Sequence, residues 1–193
     1  MLSIEDVWKR YGREWVLKGV SLRVAAGEAV ALLGPNGVGK TTLLRVAATL
    51  TRPQRGRVEL GVDRSELVYL ANPPAFYRHL SGFENLKTGT LLFGRPADRA
   101  AVEEALKAVG LPPDKPVAAY SSGMKKRLAL ARARLLGPRL LLLDEPETAL
   151  DAEGRALLLG LIAEVKARGG AVLLATHDRA FAEAAADREV VLS

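Results

Sequence analysis

The chain has 193 residues, 49% hydrophobic and 26% charged, which is enough to bury a sizeable core as one domain. A net charge of +6 suits nucleic acid, an acidic membrane surface or an anionic ligand, yet Lys and Arg are interspersed with Asp and Glu throughout, so charge alone selects none of these. The absence of cysteine excludes a disulfide framework and a thiolate metal site. Nothing at Met1 resembles a signal peptide, so a cytosolic location is the default expectation. Apolar runs such as Leu140 to Leu143 fall far short of the roughly 18 to 20 residues that span a bilayer, so any membrane role is expected through a partner. Three Asn, one Gln and two Met in a chain rich in Leu, Ala and Arg match a thermophile-like composition, which GC-rich coding would also produce.

Taken in chain order, Leu2 to Val24 alternates apolar and polar residues, with turn signals at Tyr11-Gly12 and Ala26-Gly27, and predicts antiparallel strands. Ala29 to Leu33 reads as a buried strand, followed by a glycine-rich turn and a helix carrying Leu43, Leu44, Ala47 and Leu50. Glu66 to Ala71 reads as the next buried strand. From about Phe76 to Leu136 the pattern is helical: Ser81 and Glu84 form a capping box, and Val102, Leu106 and Val109 a stripe ended by Gly110 and Pro112. This stretch is expected as a sub-lobe inserted between two core strands. Its last segment, AYSSGMKKRLALARA, turns into a helix whose stripe is Met124, Leu128, Ala131 and Leu135. Lys125, Lys126, Arg127, Arg132 and Arg134 scatter around the remainder and are expected as solvated flanks, with no single basic face for a nucleic-acid backbone. Arg139 to Leu143 and Ala171 to Ala175 complete the strands. Strand and helix in alternation imply an α/β fold with a mostly parallel sheet and ligands at the carboxyl ends of its strands. No linker or internal repeat divides residues 1–193, so a single domain is expected.

Gly34-Pro35-Asn36-Gly37-Val38-Gly39-Lys40-Thr41 fits G-x-x-x-x-G-K-[ST] between a strand and a helix, the context this phosphate-binding loop needs. Its backbone N–H groups can cradle phosphate oxygens at a helix N-terminus, Lys40 can reach the β and γ phosphates, and the Thr41 hydroxyl can ligate Mg²⁺. A bare glycine-rich turn is the competing reading, and the combined motif and context outweigh it. Leu140 to Leu143 ends in Asp144-Glu145, so two carboxylates emerge where the phosphates belong. Asp144 is expected to hold Mg²⁺ through water, leaving Glu145 to polarise an attacking water.

With these elements in order, the chain resembles the ATP-binding cassette family, the nucleotide-binding subunits of ABC transporters. Tyr11 matches the position of an adenine-stacking aromatic, and Gly34 to Thr42 resembles the Walker A loop. Tyr120-Ser121-Ser122-Gly123-Met124 resembles the signature, Leu140 to Glu145 Walker B, Thr148-Ala149-Leu150-Asp151 the D-loop, and His177 the switch histidine. Tyr11 as an ordinary strand-end aromatic and His177 as a structural histidine are the plainer alternatives. The resemblance implies a phosphate-loop NTPase core with an N-terminal antiparallel β subdomain, ATP and Mg²⁺ as ligands, and ATP hydrolysis by Glu145, His177 and Lys40. It also implies head-to-tail pairing of two cassettes, so that Ser121, Ser122, Gly123 and Asp151 meet the nucleotide of the other copy. A membrane-spanning subunit is the implied second partner, which would hold the chain on the cytoplasmic face of the membrane, and no nucleic acid is expected.

The family pattern is not matched everywhere. Asn72 stands where the family has a metal-contacting Gln, one methylene longer, while Ser122 and Met124 replace the usual Gly and Gln of the signature. Loss of Gln at both places in a chain with one Gln suggests compositional drift. The β insert before Tyr69 is short and the sequence ends soon after His177, as in stand-alone cassettes resembling the haem exporter of cytochrome c maturation and ABC-2 exporters. Phe76, Tyr77, Leu80 and Phe83, near Pro73 to Leu86, are the expected docking patch for the membrane partner, with packing of the sub-lobe as the plainer alternative. A soluble cassette ATPase acting in assembly, for example of iron–sulfur clusters, is the alternative function.

Overall fold

The leucines of Leu140 to Leu143 are buried because both faces of their strand are covered, and the covering defines the architecture. A computed structural model describes all 193 residues, Met1–Ser193. The chain runs β1 (Leu2–Tyr11), β2 (Glu14–Val24), β3 (Ala29–Leu33), α1 (Lys40–Ala47), β4 (Arg55–Leu60), β5 (Leu67–Leu70), α2 (Gly82–Leu92), α3 (Arg99–Ala108), α4 (Ser122–Leu136), β6 (Leu140–Asp144), α5 (Ala152–Ala167), β7 (Ala171–Ala175), α6 (Arg179–Ala185) and β8 (Arg188–Val191). Five strands form a parallel sheet in the order β5-β6-β7-β3-β8, and β2-β1-β4 form a separate antiparallel sheet.

Alternation within β6 separates two cores: Leu141 and Leu143 face one cluster, with Leu130, Leu158 and Ile162 of α4 and α5, whereas Leu140 and Leu142 face another, with Leu43 and Leu44 of α1 and Ile4 of β1. A third cluster gathers Leu86, Val102, Leu106 and Leu128 beneath α2, α3 and α4. Helix α4 therefore has apolar surface on two sides, with Ala129, Leu130 and Ala133 in the sheet core and Leu128 and Ala131 in the helical cluster.

The structure corrects several sequence expectations. Helix α1 stops at Ala47, because Thr49 takes a left-handed backbone (φ 56), and Leu50 emerges 59% exposed. Strand β5 begins at Leu67, since Glu66 closes a capping box on Asp63 in a 3-10 turn, and β6 is shifted by one residue to include Asp144. The helical stretch begins at Gly82, after a loop held by the Asn85 side chain, which bonds the backbone of Tyr77, Leu80 and Ser81. The cations of α4 are mostly not solvated flanks. Lys126 is buried at 8% exposure, Arg127 pairs with Asp151 and Glu153, Arg134 pairs with Glu164, and Arg132 lies over the Phe76 ring. Phe76 and Phe83 pack against the cores, so of the expected docking residues only Tyr77 is strongly exposed; Leu91, Leu92 and Phe93 at the end of α2 join it.

Candidate active site

The carboxyl ends of β3, β5, β6 and β7 lie side by side, and each continues into a segment with chemistry-bearing residues. After β3 comes the loop Gly34–Gly39, which enters α1 at Lys40. Gly39 has φ 108, and a Cβ there would meet Leu17 Cδ2 at 2.8 Å and the Val16 carbonyl at 3.0 Å, so only glycine fits. The loop turns on a Val38 N–H to Pro35 carbonyl bond. Lys40 is 5% exposed and its Nζ donates to the carbonyls of Gly34 (2.6 Å) and Pro35 (3.0 Å), which holds a positive charge inside the loop. A cavity of about 510 Å³ opens over it, lined by Tyr11, Asn36, Gly37, Thr41, Thr42 and Glu145 among others. A half-exposed Tyr11 ring and a glycine-rich loop with a buried cation in one cavity suit a nucleotide with an aromatic base and a polyphosphate.

At the end of β6, Asp144 Oδ1 accepts from the Thr41 hydroxyl (2.9 Å) and Oδ2 from the Tyr69 hydroxyl (3.1 Å). Burial raises the Asp144 pKa, against the lowering effect of those two bonds. Burial and the adjacent Asp144 charge push the Tyr69 phenol up to about 12, so it stays a donor at neutral pH. Thr41 and Asp144 put two hard oxygen ligands together, and no cluster of three His, Cys, Asp or Glu surrounds them. That donor set fits Mg²⁺, which takes few protein oxygens and completes its shell with phosphates and water, better than Zn²⁺.

Glu145 is the meeting point of three strand ends. Its N–H bonds the Ala175 carbonyl of β7, its Oε1 lies 3.5 Å from His177 Nδ1, and its Oε2 accepts from Asn72 Nδ2 at 3.3 Å. The shorter Asn side chain thus reaches the carboxylate without a bridging water. Glu145 has φ 44, a left-handed conformation that costs a non-glycine residue on the order of 1–3 kcal/mol and marks a position the surroundings enforce.

The remaining expected residues lie elsewhere. Ser121, Ser122, Gly123 and Asp151 line a different cavity, of about 340 Å³, with Met124, Arg127 and Ala149. Ser121 caps α4 by accepting from the Met124 N–H, and a Cβ on Gly123 would meet the Ala149 carbonyl at 2.7 Å, whereas Ser122 is exposed and has room for its side chain. Asp151 Oδ1 caps α5 through the Gly154 N–H, and both carboxylate oxygens accept from Arg127, so its pKa is lowered first by the backbone bond and then by the guanidinium.

The sequence carries no signal for Tyr69, Glu147 or Thr176, places Lys126 among solvated flanks and marks Thr148 only as part of the D-loop. Lys126 Nζ donates to the Glu145 carbonyl (2.5 Å) and the Thr148 hydroxyl (2.8 Å), and burial lowers its pKa against the nearby carboxylates of Glu147, Glu145 and Asp144. The available signal was a second apolar stripe on α4, Ala129, Ala133 and Leu136, whose face also carries Lys126.

A strand–glycine loop–helix phosphate cradle facing a buried strand that leads into two carboxylates defines a phosphate-loop nucleoside triphosphatase. Residues 17–148 match the family model described as ABC transporter, and the chain belongs to that family. It is 41% identical over 200 residues to the ABC transporter ATP-binding protein YxlF of Bacillus subtilis, covering 100% of this chain and 68% of YxlF, so it spans about two thirds of that relative. It is 40% identical to the cytochrome c biogenesis ATP-binding export protein CcmA of Methylococcus capsulatus, over 86% of both chains. Its fold superposes with a TM-score of 0.89 and 26% identity on the ATP-binding cassette MJ0796, solved as a dimer in a post-hydrolysis state with ADP and Pi, covering 100% of this chain and 94% of that one.

Proposed function

We propose that the protein is the ATP-binding and ATP-hydrolysing subunit of a membrane transporter, working as a head-to-tail pair of cassettes. The observation that carries this reading is Glu145, whose carboxylate is bonded by Asn72 and faced by His177 at the rim of the phosphate-loop cavity. Tyr11 stacks on adenine, residues Gly34 to Thr42 bind the phosphates, and Lys40 compensates charge developing on the transferred phosphoryl group. Glu145 takes up a proton from the attacking water, while the His177 imidazole orients that water and the γ-phosphate. Bound Mg²⁺ would neutralise phosphate charge, held by Thr41 and Asp144 with Asn72 beside them.

The cavity at Ser121 to Gly123 opens at the N-terminus of the 15-residue helix α4, an anion-favouring position. In the paired arrangement this face closes on the other copy's γ-phosphate, and hydrolysis removes the group both copies hold. ATP binding and hydrolysis thereby shift the population between closed and open pairs. No helix of the chain is long and apolar enough to cross a membrane, and in the proposed arrangement a partner subunit supplies the membrane passage. The partner docks at a groove of about 290 Å³ between Phe76 and Tyr77 on one side and Leu92 and Phe93 on the other, on the cytoplasmic face of the membrane.

Replacing Glu145 by Gln keeps the shape and removes the base. Glu145→Gln is expected to bind ATP, to lose at least about a hundredfold in turnover, and to accumulate as an ATP-bound dimer in sedimentation velocity. Unchanged turnover would remove Glu145 from this role and the reading with it.

A further inference from the structure

Three buried charges lie outside the motif residues: Lys9, bonded to the Arg52 carbonyl, and two beside Glu145. Lys126 is 8% exposed and Glu147 is 2% exposed, and ionisable side chains are almost never buried this far unless they are paired. Both lie within one turn of chain or one helix layer of Glu145, and neither contacts the phosphate-loop cavity.

We propose that Lys126 and Glu147 are two buried positioning residues, Lys126 acting on the turn that carries Glu145 and Glu147 on the strand end that carries His177, and that together they fix Glu145 and His177 relative to each other and tie helix α4 to the hydrolytic step. The inference rests on the ATPase reading above. Lys126 clamps the turn after β6 at two points, the carbonyl of Glu145 and the hydroxyl of Thr148, and that hydroxyl also donates to the Glu145 carbonyl at 2.9 Å. Thr148 Oγ1 further lies 3.5 Å from Asn72 Nδ2, whose other contact is the Glu145 carboxylate. The left-handed backbone of Glu145 thus sits inside a ring of bonds whose only cation is the Lys126 ammonium.

Glu147 reaches the other way. Its Oε1 accepts from Thr176 Oγ1 at 2.5 Å, and Thr176 immediately precedes His177 while accepting from the Asp178 N–H. Its Oε2 is buried with no hydrogen-bond partner in the chain. Lys126 and Glu147 do not touch: they hold the segment from Glu145 to Thr148 from two sides, Lys126 through the Glu145 carbonyl and Thr148 hydroxyl and Glu147 through Thr176. The pair therefore joins three elements: α4, which begins at the Ser121 to Gly123 cavity, the turn that carries Glu145, and the end of β7 that carries His177. A displacement of α4 moves the Lys126 clamp and with it the carboxylate that activates water, without passing through Asn72.

The test is steady-state ATPase kinetics on Lys126→Met, Lys126→Arg, Glu147→Gln, Thr148→Val and the Lys126→Met/Glu147→Gln double variant, with thermal melts and Glu145→Gln alongside. Lys126→Met and Glu147→Gln are expected to lose about tenfold or more in kcat with KM for ATP within about threefold, because the phosphate loop is untouched. Lys126→Arg recovers part of the loss, and the double variant loses at least about tenfold less than the product of the single losses, since it leaves no lone buried charge. Thr148→Val, which strands no charge, carries the test if the charge variants do not fold, with an expected loss of about threefold or more in kcat. A folded Lys126→Met with kcat within about threefold of the parent, or single losses that simply multiply, overturns the pair. If Glu145→Gln still turns over ATP, the ATPase reading itself fails; if it is inactive while Lys126→Met and Thr148→Val are not, only the positioning pair falls.

Discussion

The signature region separates two small residues that look equivalent on paper. A methyl group at Gly123 would overlap the Ala149 carbonyl at 2.7 Å, and backbone of the segment leading to Asp151 has no easy way to yield. Ser122 faces solvent at the first position of α4. Gly123→Ala is therefore expected to push the signature turn away from Ala149 and reduce ATPase turnover by about tenfold or more, whereas Ser122→Gly stays within about threefold. Asn72→Gln and Met124→Gln restore the family residues, and each should leave turnover within about tenfold, or roughly 1.4 kcal/mol in the barrier. A larger change at either would show that the substitution altered the mechanism. Residues identified by a local motif, such as Lys40 and Thr41, were legible because their roles depend on a contiguous loop. Lys126, Glu147 and Tyr69 were not, because a charge or a phenol becomes functional only through burial against segments distant in the chain.

The strands differ in legibility for a related reason. β3 and β7 occupy the expected residues, each a run of five buried apolar positions bounded by polar ones. β4 (RGRVEL) and β8 (REVV) are edge strands with mostly exposed side chains, so they carry no apolar pattern and are specified by pairing to β1 and β3. β8 is anchored at its start by Asp187, whose Oδ2 accepts from the Ala29 N–H (2.8 Å) and Oδ1 from Lys166 (2.6 Å). These bonds, the backbone one foremost, hold the Asp187 pKa below its ordinary value near 4. A depressed carboxylate stabilises the fold above the unfolded pKa and loses that contribution as pH falls through the folded value. Asp187→Asn should therefore lower the melting temperature at pH 7, with the deficit shrinking below about pH 4 as the parent loses the same interaction. The loop before α2 has a different anchor: Asn85, 3% exposed, makes four hydrogen bonds to backbone of Tyr77, Leu80 and Ser81. Asn85→Ala strands those groups and should cost about 1–3 kcal/mol, read as a lower denaturant midpoint at unchanged slope.

The parallel sheet explains why one chain carries two separate cavities lined by motif residues. Strand ends gather the phosphate loop, Asp144, Glu145, Asn72 and His177, while the insertion between β5 and β6 carries Ser121 to Gly123 into a separate cavity at the head of α4. Periodicity revealed the sheet and the insertion but could not show this separation, which depends on how α4 lies between two cores. If the two surfaces belong to one nucleotide site shared between copies, damage to each should be complementary in a mixed pair. Lys40→Ala disables the phosphate-loop face, and Gly123→Arg blocks the face at α4. Each variant alone should lack turnover, since every pair it forms contains only damaged sites. In a mixture, a Lys40→Ala chain still offers an intact signature to the intact phosphate loop of a Gly123→Arg chain, so each mixed two-fold pair contains one undamaged site. ATPase activity should then appear on mixing, rise with total protein concentration, disappear when the Gly123→Arg chain, which supplies the intact phosphate loop, also carries Glu145→Gln, and persist when the Lys40→Ala chain carries it. Activity absent from the mixture, while both variants remain folded and the unmixed parent turns over ATP, would place the two cavities in separate functions.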